Sequence, residues 1–166
     1  MKKTKTALAL PAREKLWFCL MYPLSAVVRL ALLILPFRVI SCVMGKQIQS
    51  KEPSTVLSEE EQSLVSRIGK VCALVARYTP WETKCLSQAI LGRVFLGFYG
   101  ISCVIYLGVT KAGDPLNPMR AHAWMKAGGL IVTGREGHRA FTVLVAYEAS
   151  AIFPKKERKP DVSNAL

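Results

Sequence analysis

The amino-acid sequence predicts an α+β fold in which helices come first and an antiparallel sheet follows. Three observations support this prediction. Apolar residues recur at helical spacing before Gly100, they alternate after it, and Gly128-Gly129 separates two of the alternating runs as a hairpin turn would. A chain of 166 residues is long enough for one domain with appendages.

The first part of the chain predicts a basic, apolar helical extension over residues 1–50. An apolar run, residues 16–44, follows several lysines and arginines and is long enough to suggest a transmembrane helix. Two residues argue against a transmembrane helix: Arg29 would cost roughly 2.5 to 3.5 kcal/mol at the centre of a bilayer, and Pro36 interrupts the run. A secretory signal peptide is not indicated either, because no cleavage site follows. We therefore expect two helices, broken near Pro36, that pack on the core or lie on a membrane surface.

The main domain is expected over residues 51–153. Polar residues 45–57 contain Gly and Pro and predict a linker. Ser58, followed by three glutamates, is typical of a helix N-cap, and Cys72 lies on the apolar stripe of the helix that begins there. Residues 154–166 are charged and predict a disordered tail.

A second helix of the main domain is predicted to begin near Thr79 and to end at Gly100. Thr79 and Glu82 have the spacing of a capping box, and Pro80 would take the first helical position. Cys85 would then lie in the early turns of this helix, where the helix dipole favours an anion.

The remaining segments predict strands at residues 101–110, 121–127, 130–134 and 140–148, with a loop at residues 111–118. Around the Gly128-Gly129 turn, a regular ladder pairs Met125 with Val132 and places His122 opposite Arg135. His122 would share one face of its strand with Trp124 and Lys126, a combination that is not typical of a dry core.

The composition narrows the possible partners. The net charge is +12 and 51% of the residues are hydrophobic, which favours a membrane surface or an acidic polypeptide as partner. No nucleic-acid partner is expected, because nucleic-acid-binding motifs are missing from the sequence. Five cysteines without a C-x-x-C pair argue against disulfides and zinc and for a reducing compartment. Most of them are expected to be buried.

Cys85 and His122 form the candidate catalytic pair. A cysteine near a helix N-terminus with a histidine in reach has the nucleophile and the base that covalent catalysis needs. Backbone N–H groups around residues 79–84 would help to form an oxyanion hole. The alternative is that both residues only pack in the core. No metal or cofactor site is predicted, and His138 is expected to be a solvated loop residue.

Two stretches resemble a known family. "KCLSQAILGRVFLGFYGISCVIYLGVTK" and "AHAWMKAGGLIVTG" are similar to the transglutaminase-like cysteine peptidases that remove the leader from lasso-peptide precursors. The resemblance covers about residues 60–148. It implies a papain/transglutaminase-like fold, with Cys85 as nucleophile and His122 as general base. The leader would be cleaved through a thioester, and a separate cyclase would then act on the core peptide.

The resemblance leaves the third catalytic residue open. Many members carry an orienting Asp where this chain has Gly134, so Glu136, Asp114 or a backbone carbonyl would have to orient His122. Residues 1–50 do not look like the leader-binding domain of fused members, which implies a separate leader-recognition protein as partner.

The expected partners are thus the precursor peptide, the recognition protein and the cyclase, with peripheral membrane contact through residues 1–44. The expected location is the cytoplasm or the inner membrane surface. Two other functions remain open: an acyltransferase on the same scaffold, and a non-enzymatic membrane-surface or adaptor protein.

Overall fold

A computed structural model describes residues 10–49, 56–114 and 117–153. Its helices are α1 (Ala12–Ile34), α2 (Phe37–Met44), α3 (Glu59–Tyr78) and α4 (Cys85–Phe98). Its strands are β1 (Lys46–Ile48), β2 (Cys103–Asp114), β3 (Asn117–Ala127), β4 (Leu130–Thr133) and β5 (Thr142–Ala149), with a short 3-10 helix, His138–Ala140, before β5. The α+β prediction is confirmed.

The five strands form one antiparallel sheet in the order β1-β5-β2-β3-β4. β1 pairs with β5 through Lys46 and Glu148, so the predicted linker contains a strand. Gly45 makes this possible: its φ of 120° turns the chain out of α2, and a Cβ atom at this position would collide with the backbone of Glu148. The predicted loop at residues 111–118 is also largely strand, because β2 extends to Asp114 and β3 begins at Asn117.

The predicted N-cap of α3 is confirmed. The backbone N–H of Glu61 donates to Ser58 Oγ at 3.3 Å, and the backbone N–H of Ser58 donates to Glu61 Oε2 at 3.0 Å. This reciprocal capping box satisfies two backbone donors that a helix start otherwise leaves without partners.

The two N-terminal helices, predicted with a break near Pro36, are present and pack on the rest of the protein. Trp17, Met21 and Val28 of α1 are buried in the same hydrophobic cluster as Cys72. Trp17 Nε1 also donates to Tyr99 Oη at 2.8 Å. The predicted boundary at residue 50 and the predicted tail lie outside the described residues and stay predictions.

The sheet is apolar on both faces. Ile105 and Met125 face the helices and belong to the main core. On the other face, Tyr106 and Trp124 stack at a ring distance of 5.5 Å in a second, smaller hydrophobic cluster. The strand face with Trp124 was expected to differ from a dry core. At Trp124 this expectation is wrong, because the side chain is only 4% exposed. Lys126 covers the cluster, with Nζ 5.6 Å from the centre of the Tyr106 ring.

Alanine substitutions on the two sides of α1 test whether this helix belongs to the core. Met21 is 0% exposed and Leu20 is 53% exposed. We expect Met21→Ala to lower the free energy of unfolding by about 2 to 5 kcal/mol, because it leaves a cavity. Leu20→Ala should change it by less than about 0.5 kcal/mol. Urea unfolding measures both, and equal effects would contradict the packing described here.

Candidate active site

Cys85 is the first residue of α4, and the predicted helix start near Thr79 is wrong. Thr79 instead ends α3, and its backbone N–H donates to the carbonyl of Val75 at 3.0 Å. Residues 80–84 are not helical. Cys85 therefore lies at the very start of its helix, not one to two turns inside it.

Contacts with α1 explain why residues 80–84 do not become helical. Trp81 Nε1 donates to Ser25 Oγ at 3.0 Å. Glu82, which would complete the capping box, instead forms ion pairs with Lys84 at 3.1 Å and with Arg29 at 3.3 Å. The hydrogen bond from Lys84 and its positive charge lower the pKa of Glu82. The contacts from Ser25 and Arg29 are tertiary, whereas the pair with Lys84 is local. Thr79 Oγ1 is also hydrogen-bonded to Thr83 Oγ1 at 2.9 Å, so the capping box does not form despite the local preference for a helix start.

The helix start provides backbone donors beside the thiol. The first hydrogen bond of α4 runs from the Gln88 N–H to the Lys84 carbonyl at 3.0 Å. The N–H groups of Cys85, Leu86 and Ser87 therefore precede the hydrogen-bond ladder of the helix. Such groups stabilise a developing oxyanion when a substrate carbonyl lies against them.

A β-bulge in β4 sets the position of His122. Next to the hairpin turn, Ala127 pairs with Leu130 and Lys126 with Ile131, as in a regular ladder, but Met125 pairs with Thr133 instead of Val132. One extra residue of β4 thus lies between paired positions. Since β4 ends at Thr133, the predicted pair of His122 with Arg135 does not form.

The bulge brings the carbonyl of Gly134 to the imidazole of His122. His122 Nε2 lies 2.9 Å from the Gly134 oxygen. A carbonyl oxygen only accepts hydrogen bonds, so Nε2 carries the hydrogen. In the neutral ring, Nδ1 is then the nitrogen with the free lone pair, which is the atom that a general base needs.

Gly134 is required for this contact. Its φ is +69°, and a Cβ atom at this position would collide with the carbonyl of Ala123 and with Trp124. A side chain in place of Gly134 is therefore strained and sterically blocked. The backbone carbonyl of Gly134 thus contacts His122 at the position where the resemblance implied an orienting Asp.

Two aromatic rings contact the imidazole. The Trp124 ring lies 6.0 Å from the His122 ring and nearly parallel to it, and the Phe141 ring lies 5.0 Å away. Trp124 was expected on the same strand face as His122, whereas Phe141 was not singled out from the sequence. In the sequence, Phe141 is only one of several apolar residues within the predicted final strand, residues 140–148.

Cys85 and His122 line the same cavity, which has a volume of about 370 Å³. Gln88, Thr133 and Glu136 also line it. Within the described residues, the structure has no hydrogen bond between the thiol and the imidazole. Catalytic hydrogen bonds are often long in unliganded enzymes and shorten when substrate binds.

The two carboxylates expected as orienting groups differ in position. Glu136 is exposed, and it lines the cavity without a hydrogen bond to His122 in the described part of the chain. Asp114 is the last residue of β2, where it pairs with Asn117. Asn117 is five residues along β3 from His122, about 17 Å at the usual rise per residue. The side chain of Asp114 lies outside what the structure describes.

His138 lies beside this site at the start of the 3-10 helix. Its Nδ1 is 2.7 Å from the carbonyl of Arg135. Together with Arg135 and Arg139 it lines a second cavity of about 480 Å³. Arg135 lines both cavities. Among the described residues, no three His, Cys, Asp or Glu side chains form a group that would hold a metal ion.

The five cysteines have different surroundings. Cys72 and Cys103 are buried, Cys85 is half-buried, and Cys19 and Cys42 are exposed. Burial raises the pKa of both Cys72 and Cys103 to about 12. Only two of the five are buried, so the expectation that most cysteines are buried is wrong. Cys19 and Cys42 project from the outer side of the N-terminal helices.

The fold and the site together define a class of proteins in which a helix-start cysteine and a strand histidine share one cavity. A sequence profile described as the Transglutaminase-like superfamily matches residues 31–146. The chain belongs to this superfamily, which includes cysteine proteases and acyltransferases and whose fold is usually enzymatic. The transglutaminase-like fold expected from the sequence is confirmed. No curated protein and no solved structure matches the chain.

Thiol alkylation tests the surroundings of the cysteines. At pH 7.5, iodoacetamide should modify Cys85, Cys19 and Cys42 in the folded protein. It should spare Cys72 and Cys103, because a raised pKa keeps these buried thiols protonated until the pH approaches 12. Peptide mapping by mass spectrometry identifies the sites, and unfolded protein labelled at all five is the control. Labelling of Cys72 as fast as Cys19 would contradict the structure.

Proposed function

We propose that this protein is a cysteine endopeptidase that removes the leader from a ribosomally made lasso-peptide precursor. The observation that carries the proposal is the shared cavity of Cys85 and His122, in which the imidazole is held in the tautomer that a base requires. Membership of the superfamily supports cysteine chemistry. The lasso-peptide substrate rests on the resemblance of residues 60–148 to leader peptidases.

The first half of the reaction forms a thioester. His122 Nδ1 takes the thiol proton of Cys85, and the sulfur attacks the carbonyl carbon of the scissile peptide bond. The N–H groups of Cys85, Leu86 and Ser87 stabilise the resulting oxyanion. When the C–N bond breaks, the His122 imidazolium gives its proton to the departing amine of the core peptide.

The second half releases the leader. Water gives a proton to His122 Nδ1 and attacks the thioester carbonyl. When the C–S bond breaks, the sulfur leaves and takes up this proton. The leader departs with a free carboxylate, and the core peptide has a free amine that a separate cyclase can use.

The Gly134 carbonyl serves as the orienting group in this mechanism. It fixes the ring and the tautomer of His122 without adding a negative charge, whereas an Asp would also stabilise the imidazolium. Glu136, at the exposed edge of the cavity, is the alternative orienting group.

The partners in this proposal are the precursor peptide, a separate leader-recognition protein and the cyclase. We place the enzyme in the cytoplasm, where its five free cysteines stay reduced. The positive charge at Arg135 and Arg139, along the second cavity, suits a peptide that carries acidic residues.

Substitution of the catalytic pair tests the proposal directly. Cys85→Ala and His122→Ala should each slow precursor cleavage by at least about 1,000-fold, and the double variant should be no slower than either, because the two residues act as a unit. Cleavage is followed by mass spectrometry with the precursor and the recognition protein present. Cys42→Ala is the matched control and should cleave normally. Cleavage by folded Cys85→Ala at the wild-type rate would contradict the mechanism.

The reaction product separates hydrolysis from acyl transfer. A leader with a free carboxylate supports the peptidase, and a leader with a new amide supports the acyltransferase alternative, which the superfamily also contains. If neither product forms in the presence of the recognition protein and the Cys85 variant binds the same partners, the adaptor alternative holds.

The orienting role of Gly134 is tested by the state of the imidazole. Nitrogen NMR shifts of labelled histidine should show hydrogen on Nε2 in neutral His122, and His138→Gln assigns the signal. In Gly134→Ala the backbone at residue 134 must move to make room for Cβ, so a smaller fraction of neutral His122 should carry hydrogen on Nε2. The variant should also lower kcat by about tenfold or more, with little change in KM. A fall of about 100-fold for Glu136→Gln, the scale of general acid–base groups, would assign the role to that carboxylate instead.

A further inference from the structure

We propose that the outward face of α1 binds the surface of a bilayer that contains anionic lipids. This face carries an outer stripe, defined as Leu16, Leu20, Val27, Leu30 and Ile34. These five side chains are between 53% and 69% exposed. They lie on one side of the helix because their spacing of three, four or seven residues matches the helical repeat.

The outer stripe reverses the usual pattern of a surface helix. A helix at the surface of a protein normally turns charged side chains toward water. α1 already buries its inward side through Trp17, Met21 and Val28, yet its outward side is apolar from Leu16 to Ile34. That distance is about 27 Å at 1.5 Å per residue. An apolar band of this length is typical of a surface that binds another apolar phase.

The charges around the outer stripe favour an anionic partner. Lys15 is exposed at one end of the stripe, and Arg38 is exposed just beyond the other end. The Arg13 guanidinium lies instead over the rings of Trp17 and Tyr99, 5.2 and 5.3 Å from their centres. Glu14, the one acidic residue in the sequence of α1, is buried. The sequence adds three further lysines ahead of α1, and the chain has a net charge of +12. An apolar face with cations at its ends complements the tails and phosphate headgroups of anionic lipids.

A transmembrane span accounts less well for the same helix. By length and composition, α1 is the one helix in the described ranges that is long and apolar enough to cross a membrane. However, its inward side belongs to the main core, and Ser25 and Arg29 contact Trp81 and Glu82. A span would separate all these contacts, whereas binding along the surface keeps them.

A second helix is the other possible occupant. Alternate spacings of three and four also occur in coiled coils, where charged residues beside the seam pair with the partner helix. The positions beside the outer stripe here include Cys19 and Leu33, which are exposed and uncharged. They widen the apolar face beyond a coiled-coil seam and favour a lipid surface.

Vesicle co-sedimentation of the full chain tests the proposal. The protein should sediment with vesicles of phosphatidylcholine and phosphatidylglycerol, more weakly with phosphatidylcholine alone, and less in high salt because salt screens the charges. Leu20→Gln/Leu30→Gln should weaken binding at least about tenfold, because two leucines no longer enter the apolar phase. Val56→Gln/Leu144→Gln, at exposed positions outside the N-terminal helices, is the matched control and should bind like wild type.

Melting temperatures show whether the variants are folded, and both double variants should melt near wild type because the replaced side chains are exposed. Three results would overturn the proposal. The first is no binding to anionic vesicles. The second is a dimer in sedimentation velocity that Leu20→Gln/Leu30→Gln dissociates while vesicle binding is unchanged. The third is membrane-inserted protein that resists extraction by alkaline carbonate, which would indicate a span.

Discussion

The contact of α1 with residues 79–84 determines where Cys85, the proposed nucleophile, lies. Ser25 and Arg29 bind Trp81 and Glu82 and keep this segment out of the following helix. α4 therefore begins at Cys85, and its first backbone N–H groups lie beside the thiol. Without the contact, the favoured start at Thr79 would move Cys85 into a hydrogen-bonded turn, where its own N–H would have an intrahelical partner.

The histidine half of the site depends on one extra residue in β4. The bulge advances the chain so that the Gly134 carbonyl, and not a side chain, contacts His122. A carbonyl fixes the tautomer as well as a carboxylate does, but it offers less charge to the imidazolium that forms in the proposed mechanism. Phe141 and Trp124 hold the ring on its faces. Packing and the backbone thus fix the position of the His122 imidazole, which reduces the need for an acidic side chain to orient it.

Local patterns made much of this structure predictable. Ser58 and Glu61, Pro36, and the Gly128-Gly129 turn each act within a few residues, and each marks the element boundary that was expected. The predictions at Thr79 and Val132 were wrong because distant or cross-strand contacts decide those positions. β4 has only four residues, too few for the alternation of side chains to reveal a bulge. The spacing of Thr79 and Glu82 likewise does not show that Glu82 pairs with Arg29 of α1.

α1 is apolar on two sides because each side meets a different environment. The side with Met21 gains free energy by burial in the folded protein, whereas the outer stripe gains it only where another apolar phase is present. The charge of +12 directs such a chain to anionic surfaces. Ser25 lies on the core side, so the residues that position Cys85 are separate from the stripe. A change in membrane affinity can therefore arise by substitution of the stripe without displacement of Cys85.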